Sequence, residues 1–538
     1  MASYFIGVDV GTGSARAGIF DLNGTMLSSA KRDIQLFREG SDIAEQSSED
    51  IWQAVTHSVR TALSESGLKA RDIGGIGYDA TCSLVVVGTD GEPLPVGSSG
   101  LAERNIIVWM DHRAIDQTRR INDSRDRVLR YVGGTISPEM ETPKLLWLKE
   151  NMPEAYQKAW QFFDLADYLS WRSTGDLARS VCTVTCKWTY LAHEKKWDAD
   201  YFRTIGLDDI AEQNFARIGT NIVDAGSPLG QGLTTKAAED LGLLAGTPVA
   251  AGLIDAHAGG IGSVGGEGGV GHVASRMAYV FGTSACTMAS SVEPVYIPGV
   301  WGPYYSAMVP GFWLSEGGQS SAGAAIDHVV SLHPAAAQAD VEAAKAGCSV
   351  PEFLANQAVG SALDPSSVIT LAGGLHVVPD FLGNRSPFAD PHATGLIAGI
   401  RMERDLDSLV ALYIACLSGL GYGLRQIIET SRKQGAAIDA VVLSGGAGRH
   451  ELVRQMLADG AGLPVMVARE NEPVLLGSAM LAAVAAGAFA SLPAAMQAMS
   501  AIGSVYQPRQ GEIARLHERR FHAFETLQSA ACTLQTIT

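Results

Sequence analysis

Residues 4–24, YFIGVDVGTGSARAGIFDLNG, bring together a carboxylate (Asp9), two glycines (Gly11 and Gly13) and two hydroxyls (Thr12 and Ser14). Glycine lets backbone N–H groups approach an anion that a Cβ would hold off, so this set suits a nucleotide phosphate. Gly11 and Gly13 match the first two glycines of a dinucleotide fingerprint, but Arg16 stands at the third position. ARAGIF then continues as a second apolar strand rather than opening a helix. No Gly-Lys-Ser/Thr follows, which excludes a Walker loop. The stretch therefore predicts strand, turn, strand. A carboxylate beside a phosphate needs a cation between them, so Asp9 implies Mg²⁺. An ordinary Gly-Thr-Gly hairpin with an aspartate at its edge is the alternative these residues leave open.

MAYVFGTSACTMAS, residues 277–290, repeats the pattern around Gly282 and Thr283. Two such hairpins, one in each half, predict two similar domains closing on a nucleotide. Asp255, in VAAGLIDAHAGG, follows an apolar strand and precedes a glycine-rich run. There a carboxylate can take the proton of a hydroxyl as its oxygen attacks phosphorus, with a helix N-cap as the competing role. Gly445 and Gly446, in VVLSGGAGRHELVRQ, would let a planar base lie close to the backbone ahead of a helix, unless they form a plain strand-to-helix turn.

These groups need a scaffold larger than one core. The chain has 538 residues, 46% of them hydrophobic and 18% charged, which predicts a globular protein of two large domains. Net charge is −17, from 57 acidic against 40 basic residues, which argues against a nucleic-acid or anionic-membrane binder. The odd number of cysteines, seven, fits reduced thiols in the cytoplasm better than a disulfide framework. Cys182 and Cys186 have no histidine near them at zinc spacing, so no metal site is expected there. The first residues show no basic segment followed by an apolar run and a cleavage site, so secretion is not expected. Val474–Leu492 is long and apolar, but it is rich in Ala and Gly and has no basic flank, so it is read as a helix buried against a sheet. Strand-like and helical stretches alternate, SEDIWQAVTHSVRTALSESG being a capped amphipathic helix, and this predicts an α/β fold. GGIGSVGGEGGVGH, residues 259–272, is expected to be a loop crossing between a domain over 1–258 and another over 273–538.

Taken in order, DVGTGS, KLLWLKEN, GLIDAHAGG, FGTSACTM, GLIAGIRMERD and LSGGAGRHELVRQMLAD resemble the FGGY family of carbohydrate kinases, in the actin and sugar-kinase superfamily. The resemblance implies two RNase H-like domains with ATP and Mg²⁺ in the cleft between them. It implies metal binding by Asp9, general-base catalysis by Asp255, and nucleotide contacts from Thr12, Gly13, Ser14, Arg16, Gly282, Thr283, Gly323, Gly445, Gly446 and His450. His450 stands where many relatives carry asparagine, and Ala415 where the second family signature usually has an acidic residue or glutamine. YDATCSLVV, VWMDHRA, CKWTY, WLSEGGQSSAG and PDFLGNRSPFAD resemble the ribulokinase-like branch, and TCSLV its D-ribulokinase members. Matched by position, Cys82, Lys187, Asp255 and Glu316 are then implied to contact a ketopentose, with Asp111 and Arg113 extending the network. The competing roles are a structural Lys187–Glu316 salt bridge and a Cys82 that only packs.

The expected activity is ATP-dependent phosphorylation of a pentulose, D-ribulose to D-ribulose 5-phosphate. Kinases of ribitol, L-ribulose, xylulose or glycerol are the alternatives, followed by an actin- or chaperone-like ATPase and a non-catalytic sugar sensor. The expected partner is a small sugar, with no nucleic acid and no membrane, and a homodimer is the assembly to test.

Overall fold

The computed structural model describes residues 3–535. β1 (Tyr4–Val10) turns into β2 (Ser14–Asp21), and β3 (Met26–Asp33) continues the antiparallel ribbon. α1 (Ser48–Ser66) then crosses the sheet. Ser47 caps it by accepting from the Asp50 amide at 3.3 Å, and Gly67 ends it in the left-handed region. The chain returns in β4 (Ile73–Ala80), parallel to β1. Much later, after α2 (Val181–Lys187), β5 (Leu253–Ile254) adds on the far side of β4. The sheet order is β5-β4-β1-β2-β3. β1 and β4 are buried on both faces, which is why YFIGVDV and IGGIGYDA carry almost no polar alternation.

α3 (Asp255–Val264) leads into the second half, where the same plan recurs. β6 (Arg276–Phe281) and β7 (Ala285–Ser291) form a hairpin, β8 (Trp301–Tyr305) and β9 (Trp313–Gln319) extend it antiparallel, and α4 (Leu406–Lys433) crosses over. β10 (Ala440–Ser444) then lies parallel to β6. After α5 (Glu451–Ala461), β11 (Val465–Ala468) lies parallel to β10, and beyond α6 (Pro473–Ala485), β12 (Ile502–Tyr506) closes the edge. The order is β8-β9-β7-β6-β10-β11-β12. Each half thus centres on a hairpin followed by parallel return strands, and the α/β fold predicted from the alternation is the fold observed.

The glycine-rich run 259–272 is a correction to the sequence reading, because it is helical as far as Val264. Its glycines serve close packing rather than looseness: a Cβ on Gly262 would lie 1.9 Å from the Pro473 carbonyl oxygen of α6. Residues 265–272 are irregular. The two helices exchange partners across the molecule. α3 continues from β5 yet packs on β6, whereas α6 connects β11 to β12 of the second sheet yet packs on β1 and β4. The resulting apolar layer joins the core beneath α1 to the core around α4 and α5. The apolar stretch from Val474 accordingly begins as a buried helix against a sheet.

Candidate active site

Several of these elements end at one place. The β1–β2 hairpin, the first turn of α3, the last residue of α2 and the middle of β9 enclose a cleft of about 370 Å³ lined by Asp9, Thr12, Arg16, Cys82, Lys187, Asp255 and Glu316. Asp255 opens α3, with Ile254 in the N-cap position, and its carboxylate accepts from the Ala256 amide at 2.7 Å. Burial, and then the nearby Asp9, push its pKa up to about 6. It is thus ionised at neutral pH yet basic enough to accept a proton from a hydroxyl.

Strand register supplies a residue that the motif reading missed. Asp79 on β4 lies directly beside Asp9. Ser478 of α6 donates to Asp79 Oδ2 at 2.5 Å, while Oδ1 is buried without a partner among the described residues. Burial and the charge of Asp9 raise the Asp79 pKa. Crowded carboxylates with an unpartnered oxygen fit a hard divalent cation, which prefers oxygen ligands and relieves the repulsion. Arg16, which the resemblance places among the nucleotide contacts, lines the cleft while donating to Asp9 at 2.9 and 2.5 Å and to Glu472 at 2.6 Å.

On the opposite wall, the Lys187 ammonium lies 5.3 Å from the centre of the Trp301 ring and forms no ion pair among the described residues, so the structural Lys187–Glu316 bridge is not made. Glu316 accepts from His257 Nε2 at 3.4 Å. Burial alone would raise the Glu316 pKa, but Lys187, His257 and Arg385 together lower it to about 2. Trp109, Glu139, Trp301 and Arg385 also line the cleft. Arg385 lies within the quoted GNRSP stretch, and its charge was the signal available there. Asp111 and Arg113 are a second correction, since they lie outside this lining. Their side chains pair with each other at 2.8 Å, and Arg113 also bonds Glu45 at 3.0 Å and the Val96 carbonyl at 2.7 Å. Every strong group of that pair is satisfied within the fold.

A larger cavity of about 980 Å³ opens on the other side of the β6–β7 hairpin, lined by Gly282, Thr283, Gly323, Gly446 and His450. Gly445, at φ 96°, makes the turn beside it, where a Cβ would come within 2.4 Å of the Phe281 carbonyl oxygen. His450 caps α5, its Nδ1 accepting from the Leu452 amide at 3.1 Å, and its Nε2 lies 3.2 Å from Asn356 Oδ1. Gly13 and Ser14 complete the first turn without entering the lining of either space. Thr283 faces the larger cavity and its neighbour Ser284 the smaller, so one peptide separates the two. Cys182 and Cys186, which have no histidine near them at zinc spacing in the sequence, have His257 beside them in the fold, its Nδ1 3.1 Å from Cys182 Sγ across 75 residues.

A large cavity walled by glycine turns meets, at one hairpin, a small carboxylate-rich cleft, an arrangement that suits an ATP-dependent sugar kinase. The chain is a member of the FGGY family of carbohydrate kinases, whose N-terminal domain matches residues 4–262 and whose C-terminal domain matches residues 277–486. It is 46% identical to an FGGY carbohydrate kinase domain-containing protein of Homo sapiens over 530 residues, covering 97% of this chain and 95% of that one. It is 40% identical to a D-ribulokinase of Saccharomyces cerevisiae over 520 residues, covering 91% of this chain and 72% of that one. Its fold superposes on a ligand-bound xylulose kinase from Lactobacillus acidophilus with a TM-score of 0.80 at 20% identity, covering 98% of both chains. The protein is therefore a phosphotransferase acting on a sugar, in the two-domain α/β fold of these kinases.

Proposed function

We propose that this kinase phosphorylates a pentulose, D-ribulose before others, at its terminal hydroxyl. The observation that carries the proposal is the convergence of Asp255, Lys187 and Glu316 in one cleft, a single peptide away from the nucleotide cavity. Asp255 takes the proton of the attacking hydroxyl. Lys187 donates to sugar oxygens, Glu316 accepts from sugar hydroxyls, and Cys82 packs against the carbon chain. Asp9, with Asp79 behind it, is the place for Mg²⁺, which when bound neutralises charge on the transferring phosphate. The similarity to a D-ribulokinase along most of the chain supports the pentulose over other polyols.

A coupled assay over D-ribulose, L-ribulose, xylulose, ribitol and glycerol tests this reading. D-ribulose is expected to give the highest kcat/KM and glycerol a poor one, because each buried polar group left unpaired costs about 1–3 kcal/mol. Equal kcat/KM for glycerol and D-ribulose would sink the assignment. Glu316→Ala is expected to flatten the ranking by weakening the preferred sugar most.

A further inference from the structure

Behind the sugar cleft lies a polar cluster that the proposed chemistry does not use. Cys182 and Cys186 sit one turn apart on α2, and His257 is on the first turn of α3. All three are buried, and their Sγ and ring nitrogen atoms lie within 4.8 Å of one another. None of them lines the cleft. A fully buried imidazole in an apolar layer costs stability unless both nitrogens are engaged, and both are: Nδ1 meets Cys182 Sγ at 3.1 Å and Nε2 meets Glu316 Oε2 at 3.4 Å. Cys182 is in turn fixed by the Ile254 amide, which approaches its sulfur at 3.5 Å. The chain of contacts therefore starts at the backbone immediately before Asp255 and ends on the carboxylate assigned to the sugar.

We propose that His257, anchored through Nδ1 by Cys182, is a positioning residue for sugar specificity, holding Glu316 Oε2 so that Oε1 is presented to the hydroxyls of the ketose. The inference rests on the sugar-binding role given to Glu316 above. Geometry supports the division of labour, since Oε1 has no protein partner among the described residues while Glu316 lines the cleft. Charge supports it as well: Cys182 is pushed down first by its contact with Cys186 and then by His257, while Cys182 and Glu316 push His257 up, which places a cation behind Glu316 in the interior, facing Cys182 and Cys186 from α2 and Asp255 from its own helix. Without that contact the carboxylate is free to turn toward Lys187, and the fixed acceptor is lost.

The test is a mutant cycle on the full-length enzyme, with D-ribulose and ATP as the varied substrates. His257→Gln is expected to raise KM for D-ribulose about tenfold or more, the worth of a hydrogen bond to a charged group, with kcat and KM for ATP little changed. Cys182→Ser keeps a small polar atom near Nδ1 and is expected to raise the sugar KM about two- to fivefold. Because His257 acts through Glu316, His257→Gln combined with Glu316→Gln is expected to be no worse than Glu316→Gln alone. Unaltered sugar KM in both single variants, or a double variant whose losses multiply, would overturn the inference. If His257→Gln fails to fold, Cys182→Ser combined with Glu316→Gln decides by the same criterion. Failure of the pentulose reading shows separately, as absence of pentulose turnover in the native enzyme, and the cycle is then run on whichever sugar that enzyme phosphorylates.

Discussion

The two glycine hairpins occupy equivalent places in the two sheets, yet they differ in length and charge. In the first, Val10 pairs with Ala15 across residues 11–14, and Asp9 faces Arg16 one step back. In the second, Phe281 pairs with Ala285 across residues 282–284, and the corresponding step holds Val280 against Cys286. Both turns close alike, the Gly11 amide donating to the Ser14 carbonyl at 3.0 Å and the Gly282 amide to the Ser284 carbonyl at 2.9 Å. A glycine amide thus closes both turns despite their different lengths, while the charged pair belongs to the first hairpin alone. One wall offers oxygens for a cation and a base. The other offers neutral donors and space. This predicts that charge removal on the first wall reduces turnover, whereas changes to the second alter nucleotide affinity with little effect on chemistry.

The largest effect is expected at Asp255. Asp255→Asn leaves ATP and sugar binding nearly intact while kcat falls by about two to four orders of magnitude, the usual worth of a positioned general base. Near-native turnover of that variant in a steady-state assay would end the assignment and with it the contrast between the walls. Asp9→Asn comes next. It is expected to raise the Mg²⁺ concentration needed for half-maximal rate about tenfold to a hundredfold, and an unchanged Mg²⁺ titration would return the first hairpin to an ordinary turn.

The pH dependence sharpens the comparison. Asp255 faces Asp9, Asp79, His257 and Lys187, and its pKa is raised to about 6 against an ordinary 3.8. In the proposed role of base Asp255 must be ionised, so kcat/KM is expected to fall about tenfold per unit as pH drops below that value. For a raised carboxylate the native state binds more protons than the unfolded state between the two pKa values. Stability is therefore expected to decrease over the same window as pH rises and activity grows. Asp255→Asn should remove that component from a Tm-versus-pH series, and an unchanged slope would place the titrating group elsewhere.

What the sequence revealed follows how local each feature is. Both hairpins were legible because glycines between apolar strands act over a few residues, and so was α1, whose cap and closing glycine are adjacent to it. Asp79 was not, because its place beside Asp9 is set by parallel register across a long crossover. The His257–Cys182 contact joins two helices that only the completed sheet brings together. Asp111 and Arg113 were expected to extend the sugar network because VWMDHRA resembles the ribulokinase-like branch. Glu45, which completes their internal network, comes from a distant strand. The run 259–272 misled because glycine content marks close helix contact as well as flexibility, and only the partner, α6, distinguishes them.

The smallest effect is expected on the neutral wall. Thr283 faces the larger cavity, and its carbonyl oxygen accepts from the amides of Ala322 at 2.9 Å and Ala324 at 3.1 Å. Those bonds use the backbone, so Thr283→Ala removes the hydroxyl while the turn is held as before. Its Oγ1 makes no hydrogen bond to the described residues, which leaves it available to a nucleotide oxygen. A neutral hydrogen bond contributes about 0.5–1.5 kcal/mol, so KM for ATP is expected to rise about two- to tenfold. KM for the sugar should hold, because the side chain does not reach the smaller cleft, and kcat should hold because no charge has been removed. A fall in kcat comparable to that of Asp9→Asn would show that the neutral hairpin also takes part in phosphoryl transfer, and the division between the walls would fail.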